Sequence, residues 1–217
     1  MDITKLIDHT LLKPDATKSD IKQLCKGAIE HGFASVFVNP VYVPIVVEIL
    51  KDQEPKVGTV IGFPLGGVSP EMKFAETRFV IHQGAEEIDM VLNVGALKDG
   101  NLDLIKKEIG EVVNAADGNC VKVILETCLL TNEEKVSVCT IAKALGAHFV
   151  KTSTGFSTTG ATVEDVKLMR ETVGMDMGVK ASGGIKTLSD LNIMVAAGAN
   201  RIGTSAAIAI LSELNSK

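Results

Sequence analysis

The sequence predicts an α/β fold, a (β/α)8 barrel in a single domain over residues 1–217, and three observations predict it. Short apolar stretches rich in Val and Ile alternate with helix-like patterns along the whole chain. Eight such stretches in 217 residues leave about 27 residues for each, the length of one strand–helix unit in a parallel sheet. A helix–Gly–strand module also recurs, in His31-Gly32-Phe33-Ala34, Gln83-Gly84-Ala85-Glu86, Leu145-Gly146-Ala147-His148 and Ala197-Gly198-Ala199-Asn200.

The candidate strands, in order, are Leu6–Thr10, Ser35–Asn39, Val57–Phe63, Glu87–Val94, Val121–Glu126, His148–Ser153, Gly178–Ala181 and Asn200–Gly203. Strands that read as apolar runs between helices are parallel and covered on both faces. Eight units favour closure over an open doubly wound sheet, which has fewer strands and often a G-x-G-x-x-G after the first. Here the first strand runs into His9-Thr10-Leu11-Leu12-Lys13-Pro14, so that fingerprint is missing. Closure depends on Leu6–Thr10, which carries the thinnest strand signal of the eight. The chain is short for a barrel, so its loops are brief.

The helices carry start and stop signals. Thr17-x-x-Asp20, Thr131-x-x-Glu134, Thr162-x-x-Asp165 and Thr187-x-x-Asp190 resemble capping boxes, in which a hydroxyl covers a free N–H of the first turn. Ser69-Pro70-Glu71 sets a cap residue before Pro at the first helical position. After the first box, Ile21, Leu24, Cys25, Ala28 and Ile29 follow the spacing of one apolar helix face. Glycine in each recurring module suits the left-handed residue that ends a helix.

Composition narrows the function. The chain is 46% hydrophobic and 23% charged, as in soluble globular proteins. A net charge of −5 and a pI near 5.4 argue against nucleic acid as a partner. No apolar run approaches the ~18 residues of a membrane span. Met1-Asp2-Ile3-Thr4-Lys5 lacks the features of a signal peptide, so a cytoplasmic location is expected. Cys25, Cys120, Cys128 and Cys139 form no C-x-x-C pair, and His9, His31, His82 and His148 form no metal-ligand spacing. The sequence offers no metal site and calls for no cofactor.

The chemistry is expected where strands end. Barrel sites lie at the C-terminal strand ends, and Asp8, Asn39, Asp89, Asn93, Glu126, Lys151, Thr152 and Lys180 gather there, while the N-terminal ends read as mostly apolar. In Phe149-Val150-Lys151-Thr152-Ser153-Thr154-Gly155 a lysine sits among apolar strand residues before a small-residue turn. A buried amine is costly unless it is paired or neutral. Val179-Lys180-Ala181-Ser182-Gly183-Gly184 repeats the arrangement on the next strand. Two such lysines raise each other's charging cost, which makes one of them nucleophilic near neutral pH. Lys151 is the candidate nucleophile and Lys180 the candidate perturbing cation. A structural ion pair is the competing account of each.

Asp89, inside the apolar run Ile88-Asp89-Met90-Val91, is on the fourth strand and Lys151 on the sixth. Strands of like parity fill a common layer of the interior, so the two side chains are expected to face one another. Asp8 has a local alternative, capping Thr10-Leu11. The turns Ser182-Gly183-Gly184-Ile185 and Gly203-Thr204-Ser205-Ala206 follow the seventh and eighth strands, where barrels often bind phosphate through backbone N–H groups. Thr154-Gly155 would add a donor. Gly62-Phe63-Pro64-Leu65-Gly66-Gly67 reads as a loop that shapes the site.

Together these residues resemble deoxyribose-phosphate aldolases. The resemblance covers nearly the whole chain, through Ile7-Asp8-His9-Thr10-Leu11-Leu12, Val60-Ile61-Gly62-Phe63-Pro64, Glu87-Ile88-Asp89-Met90-Val91, Val123-Ile124-Leu125-Glu126-Thr127 and the two lysine motifs. It implies a class I aldolase on a TIM barrel, cleaving 2-deoxy-D-ribose 5-phosphate to D-glyceraldehyde 3-phosphate and acetaldehyde without a metal. It maps the Schiff-base lysine onto Lys151 and the proton-handling pair onto Asp89 and Lys180. The implied partners are a small sugar phosphate and aldehydes. Apolar residues on barrel helices would allow a homo-oligomer, though the sequence does not separate them from core.

Three positions depart from that family's pattern. Some members end in a tyrosine associated with enamine protonation, whereas this sequence ends Leu214-Asn215-Ser216-Lys217 and its one tyrosine is Tyr42. Either another group delivers that proton or the step is slower. Phe156 stands where some members have Lys after the Thr-Gly turn, and Ala206 where some have a second serine. A barrel isomerase or synthase using lysine as a general acid is the alternative enzyme, and covalent trapping of an iminium separates the two. A sugar-phosphate-binding barrel without catalysis is the non-enzyme alternative, against which intact Lys151, Lys180 and Asp89 argue.

Overall fold

The computed structural model describes residues 2–215. β1 (Ile7–Leu11) is followed by α1 (Lys18–His31), β2 (Ser35–Val38) by α2 (Val43–Leu50), and β3 (Lys56–Ile61) by α3 (Pro70–His82). β4 (Glu87–Val91) leads into a short α4 (Val94–Lys98) and then α5 (Leu102–Ala116). The second half runs β5 (Cys120–Ile124), α6 (Asn132–Ala144), β6 (Phe149–Lys151), α7 (Val163–Val173), β7 (Gly178–Ser182), α8 (Leu188–Ala196), β8 (Arg201–Thr204) and α9 (Ala207–Asn215). The strands pair in chain order, all parallel, and β8 pairs with β1 through Ile7↔Ile202, Asp8↔Gly203 and His9↔Thr204. The first strand therefore forms, and the barrel closes.

All eight predicted strands are present, several of them shorter than the apolar runs that announced them. β3 stops at Ile61 because Gly62 turns the chain with φ +61°. β4 stops at Val91 because Asn93 caps α4, its side chain accepting from the Ala96 N–H. β6 keeps only Phe149–Lys151, and Thr152–Gly155 belong to the loop above it.

The caps form with one exception. Thr17, Thr131 and Thr187 make reciprocal boxes with Asp20, Glu134 and Asp190. Thr162 accepts from the Asp165 N–H, but the Asp165 carboxylate turns to Lys135 at 2.5 Å instead of closing the box. The four module glycines all take positive φ, between +65° and +116°. On α1, Ile21, Leu24, Cys25 and Ala28 are buried as expected, whereas Ile29 is exposed at the margin of the stripe. None of the described helices is long and apolar enough to cross a membrane.

One ion pair lies wholly in the layer between barrel and helices. Lys73 on α3 and Glu108 on α5 are both fully buried, with Nζ 2.5 Å from Oε2. Lys73 also donates to the Val91 carbonyl at 2.8 Å, and the other Glu108 oxygen accepts from the Asn93 N–H at 2.8 Å. Glu76 on α3 accepts from the Gly62 N–H at 2.8 Å. Side chains of the helix layer thus hold the exits of β3 and β4.

Glu108→Ala leaves a buried ammonium without its counter-charge, and should lower the free energy of unfolding by about 3–5 kcal/mol. Replacing both partners, Lys73→Met with Glu108→Leu, should restore much of that loss. Urea unfolding measures both, and a loss under about 1 kcal/mol for Glu108→Ala would show that the lysine finds another partner.

Candidate active site

Inward-facing side chains bring seven charges together inside the barrel. Asp8 comes from β1, Glu87 and Asp89 from β4, Lys122 from β5, Lys151 from β6, Lys180 from β7 and Arg201 from β8. Asp89 Oδ2 lies 2.8 Å from Lys151 Nζ and 2.7 Å from Lys180 Nζ. Its Oδ1 is 3.3 Å from Lys122, which also meets Glu87 at 2.5 Å. Lys180 reaches Asp8 Oδ2 at 2.5 Å, and Arg201 joins Asp8 to Glu87 at 2.9 Å each. The expected meeting of Asp89 and Lys151 across the interior therefore occurs.

Two aromatic rings line this cluster. Lys180 Nζ is 3.8 Å and Lys122 Nζ 4.5 Å from the centre of the Phe37 ring, and the Arg201 guanidinium is 5.5 Å from that of Phe149. Glycine on the adjacent strand makes room for each ring. A Cβ at Gly58 would sit 2.4 Å from Phe37, and one at Gly178 would sit 2.1 Å from Phe149.

The electrostatics follow from burial and pairing. Burial lowers the Lys151 pKa; Asp89 opposes that and Lys180 adds to it, and the amine comes down to about 8. At pH 7 about one Lys151 in ten is then free amine, against roughly one in several thousand for an ordinary lysine. Burial alone would raise the Asp89 carboxyl, but Lys151, Lys180 and Lys122 together hold it well below the usual carboxylate range. Burial would likewise lower Lys122, but Asp89 and Glu87 outweigh it and the amine is raised.

Above Lys151 opens a cavity of about 330 Å³. All eight predicted binding residues line it: Thr154, Gly155, Ser182, Gly183, Gly184, Gly203, Thr204 and Ser205. Their hydroxyls and amides divide into two sets. Thr154 Oγ1 donates to Glu126, Ser182 Oγ to the Ser153 carbonyl at 2.6 Å, and Thr204 Oγ1 to the Ile185 carbonyl at 2.7 Å. The backbone N–H groups of Gly155, Gly183, Gly184 and Ser205 have no acceptor among the described residues. Binding capacity in these turns lies with backbone amides and the exposed Ser205 hydroxyl.

Several sequence expectations change here. Asp8 is no local cap; it accepts from Ser35 Oγ at 2.6 Å and belongs to the ionic cluster. The N-terminal strand ends are not mostly apolar, because Ser35, Lys56, Glu87 and Arg201 begin their strands, and Lys122 in the middle of β5 adds a further inward charge. A single charged residue in a Val-rich strand, as in Val121-Lys122-Val123, marks such a position when it falls on the inward parity. Asn39 serves as a local brace, its amide donating to the Leu12 carbonyl at 3.2 Å. Thr152 Oγ1 bridges to Ser182, donating to its carbonyl and accepting from its N–H.

The loop after β3 does not line the main cavity. It borders a smaller one of about 130 Å³, with Phe63 edge-on to Phe156 at 5.2 Å. Two cations that the sequence reading passed over, Lys13 and Lys186, stand at the main mouth. Lys186 lies two residues beyond Gly184 of the Gly-Gly turn and offers a positive charge near a site where Phe156 supplies none. Tyr42 is committed elsewhere, donating to the Ala16 carbonyl at 2.5 Å. The terminal positions Ser216 and Lys217, where the tyrosine comparison falls, lie outside the described residues.

Comparison with known proteins gives one answer. Residues 3–212 match the model of the DeoC/LacD family of aldolases. A deoxyribose-phosphate aldolase of Caldanaerobacter subterraneus subsp. tengcongensis is 57% identical over 216 residues, covering 98% of this chain and 94% of its own. One from Clostridium perfringens is 58% identical over 209 residues, covering 96% and 93%. A tetrameric structure of deoxyribose phosphate aldolase from Aeropyrum pernix superposes with a TM-score of 0.91 at 35% identity, over 99% of this chain and 91% of that one.

Only the free amine reacts with electrophiles, so labelling of Lys151 should rise with pH through a midpoint near 8. Lys180→Leu removes a neighbouring cation and leaves Asp89 to Lys151, so the midpoint should move upward. Peptide mass after timed exposure to a small amine reagent measures it. A wild-type midpoint above 10, or no shift in the variant, would contradict this account of the electrostatics.

Proposed function

The chain belongs to the DeoC/LacD family of aldolases, and from that premise we propose that Lys151 is the amine through which it works. Its activity is the reversible cleavage of 2-deoxy-D-ribose 5-phosphate to D-glyceraldehyde 3-phosphate and acetaldehyde. The observation that carries the assignment of Lys151 is one carboxylate oxygen, Asp89 Oδ2, held between two lysine amines beneath a cavity lined by backbone donors.

The steps follow from that geometry. The free amine of Lys151 adds to the C1 aldehyde of the open-chain sugar, and loss of water gives an iminium ion. The C3 hydroxyl gives its proton to the Asp89–Lys180 pair, through water. The C2–C3 bonding electrons move toward the iminium nitrogen, C3 becomes the aldehyde of glyceraldehyde 3-phosphate, and an enamine remains on Lys151. Protonation at C2 and hydrolysis of the new iminium release acetaldehyde and the amine.

The amides of Gly155, Gly183, Gly184 and Ser205 take the phosphate, with Lys186 and Lys13 adding charge at the mouth. A doubly charged sugar phosphate does not cross a lipid bilayer, so a cytoplasmic setting fits the substrate. Exposed Met72 and Phe79, one helical stripe on α3, supply an apolar surface for assembly with further copies.

Acetaldehyde with borohydride should leave an ethyl group on Lys151, found by peptide mass. Lys151→Leu should abolish turnover while keeping the fold. Asp89→Asn should slow cleavage by at least ~100-fold. An adduct on Lys180 instead would exchange the roles of the two lysines, and near-wild-type turnover in Lys151→Leu would remove Lys151 from the mechanism.

A further inference from the structure

Glu126 is the second residue beyond the end of β5, and its backbone takes left-handed values, φ 57° and ψ 61°, which cost any residue but glycine. It is an extra residue in the ladder. The N–H of Leu125 donates to the Lys151 carbonyl and that of Thr127 to the Thr152 carbonyl, each at 2.9 Å. Two steps along one strand therefore match one step along the other, which is a β-bulge. Bulges re-aim a side chain, and this one turns a carboxylate across to the loop above Lys151.

That carboxylate is buried and makes no ion pair among the described residues. A buried carboxylate without a cation is kept only where hydrogen bonds compensate it. Both oxygens are bound to one residue: Oε1 accepts from the Thr154 N–H at 3.1 Å, and Oε2 from the Thr154 hydroxyl. With its hydrogen so directed, Thr154 Oγ1 accepts from the Phe156 N–H at 3.0 Å. Every donor of the turn is then taken except the Gly155 N–H, and Gly155 lies on the main cavity with φ +86°. Glu126 itself borders the smaller cavity beyond Thr154 and does not line the main one.

We propose that Glu126 is a positioning residue for phosphate recognition: its bulge and carboxylate fix the Thr154–Phe156 turn so that the Gly155 N–H points at the substrate's phosphate. This rests on the reading that the cavity above Lys151 takes the sugar phosphate. Glu126→Gln keeps the size of the side chain but puts an NH2 where an acceptor stood, so one Thr154 donor loses its partner. The turn loosens at the phosphate end, while Lys151, Lys180 and Asp89 stay in place.

The test compares kcat/KM for 2-deoxy-D-ribose 5-phosphate and for 2-deoxy-D-ribose. Glu126→Gln should lower the preference for the phosphorylated sugar roughly 3–10-fold, chiefly through its KM. Thr154→Val, which removes the hydroxyl but keeps the shape, should lower it by a similar factor, and the double variant by no more than the larger single effect. Should Glu126→Gln fail to fold, Thr154→Val carries the test. Equal losses on both sugars, or an unchanged preference in a folded variant, would overturn the proposal. A wild-type enzyme without preference for the phosphorylated sugar would overturn the phosphate site itself, and the proposal with it.

Discussion

Everything at this site depends on one oxygen atom. Asp89 Oδ2 touches the amines of both Lys151 and Lys180, and all three side chains are buried. Around them three carboxylates, Asp8, Glu87 and Asp89, face four cations, Lys122, Lys151, Lys180 and Arg201. With every group charged, one positive charge is left without a counter-charge in a largely buried region. Losing the Lys151 proton removes that excess, and Lys151 is also the only residue of the seven that lines the cavity. The amine that burial pushes toward neutrality, against Asp89 and with Lys180 adding to the push, is the one a substrate can reach.

The barrel separates two kinds of recognition by height. Below, side-chain charges are locked to one another and to the rings of Phe37 and Phe149. Above, the donors are backbone amides of short turns, with Lys13 and Lys186 beside them. Exposed charge at the mouth and buried charge at the floor do different work. Cations at the mouth attract an anion over a distance set by screening. Fixed charge in a dry interior sets protonation states, because there the cost of a lone charge is high. Lys151 is the last residue of β6, at the boundary between the two levels.

Much of this was legible in the sequence because it depends on period and punctuation. Eight apolar runs, threonine caps and module glycines are local signals, and they give the barrel its order and its loops. Lys151, Asp89 and Lys180 stood out as charges inside apolar runs. What stayed hidden depends on which way a residue faces. Lys122 and Arg201 are also charges in strands, but a strand of four or five residues does not say which parity points inward. Asp8 was visible, but its partners Lys180 and Arg201 lie 172 and 193 residues away, and only closure of β8 on β1 joins them. Thr154, Ser182 and Thr204 were rightly placed on the cavity, but sequence does not reveal which hydroxyls are already engaged.

That last point shows how the mouth of the barrel is specified. Carboxylates hold the loops after β3, β4 and β6: Glu76 takes the Gly62 N–H, Glu108 the Asn93 N–H, and Glu126 the Thr154 N–H. Threonine hydroxyls hold the turns after β6 and β8 in one shared pattern, each accepting the N–H two residues on, Thr154 from Phe156 and Thr204 from Ala206. In these two turns the N–H groups of Thr154, Phe156 and Ala206 are satisfied within the protein. The amides between them, of Gly155 and Ser205, are the ones left over. The donors left at the mouth of the cavity are set as much by what neighbouring acceptors withdraw as by the turns themselves, although none of these carboxylates lines the main cavity.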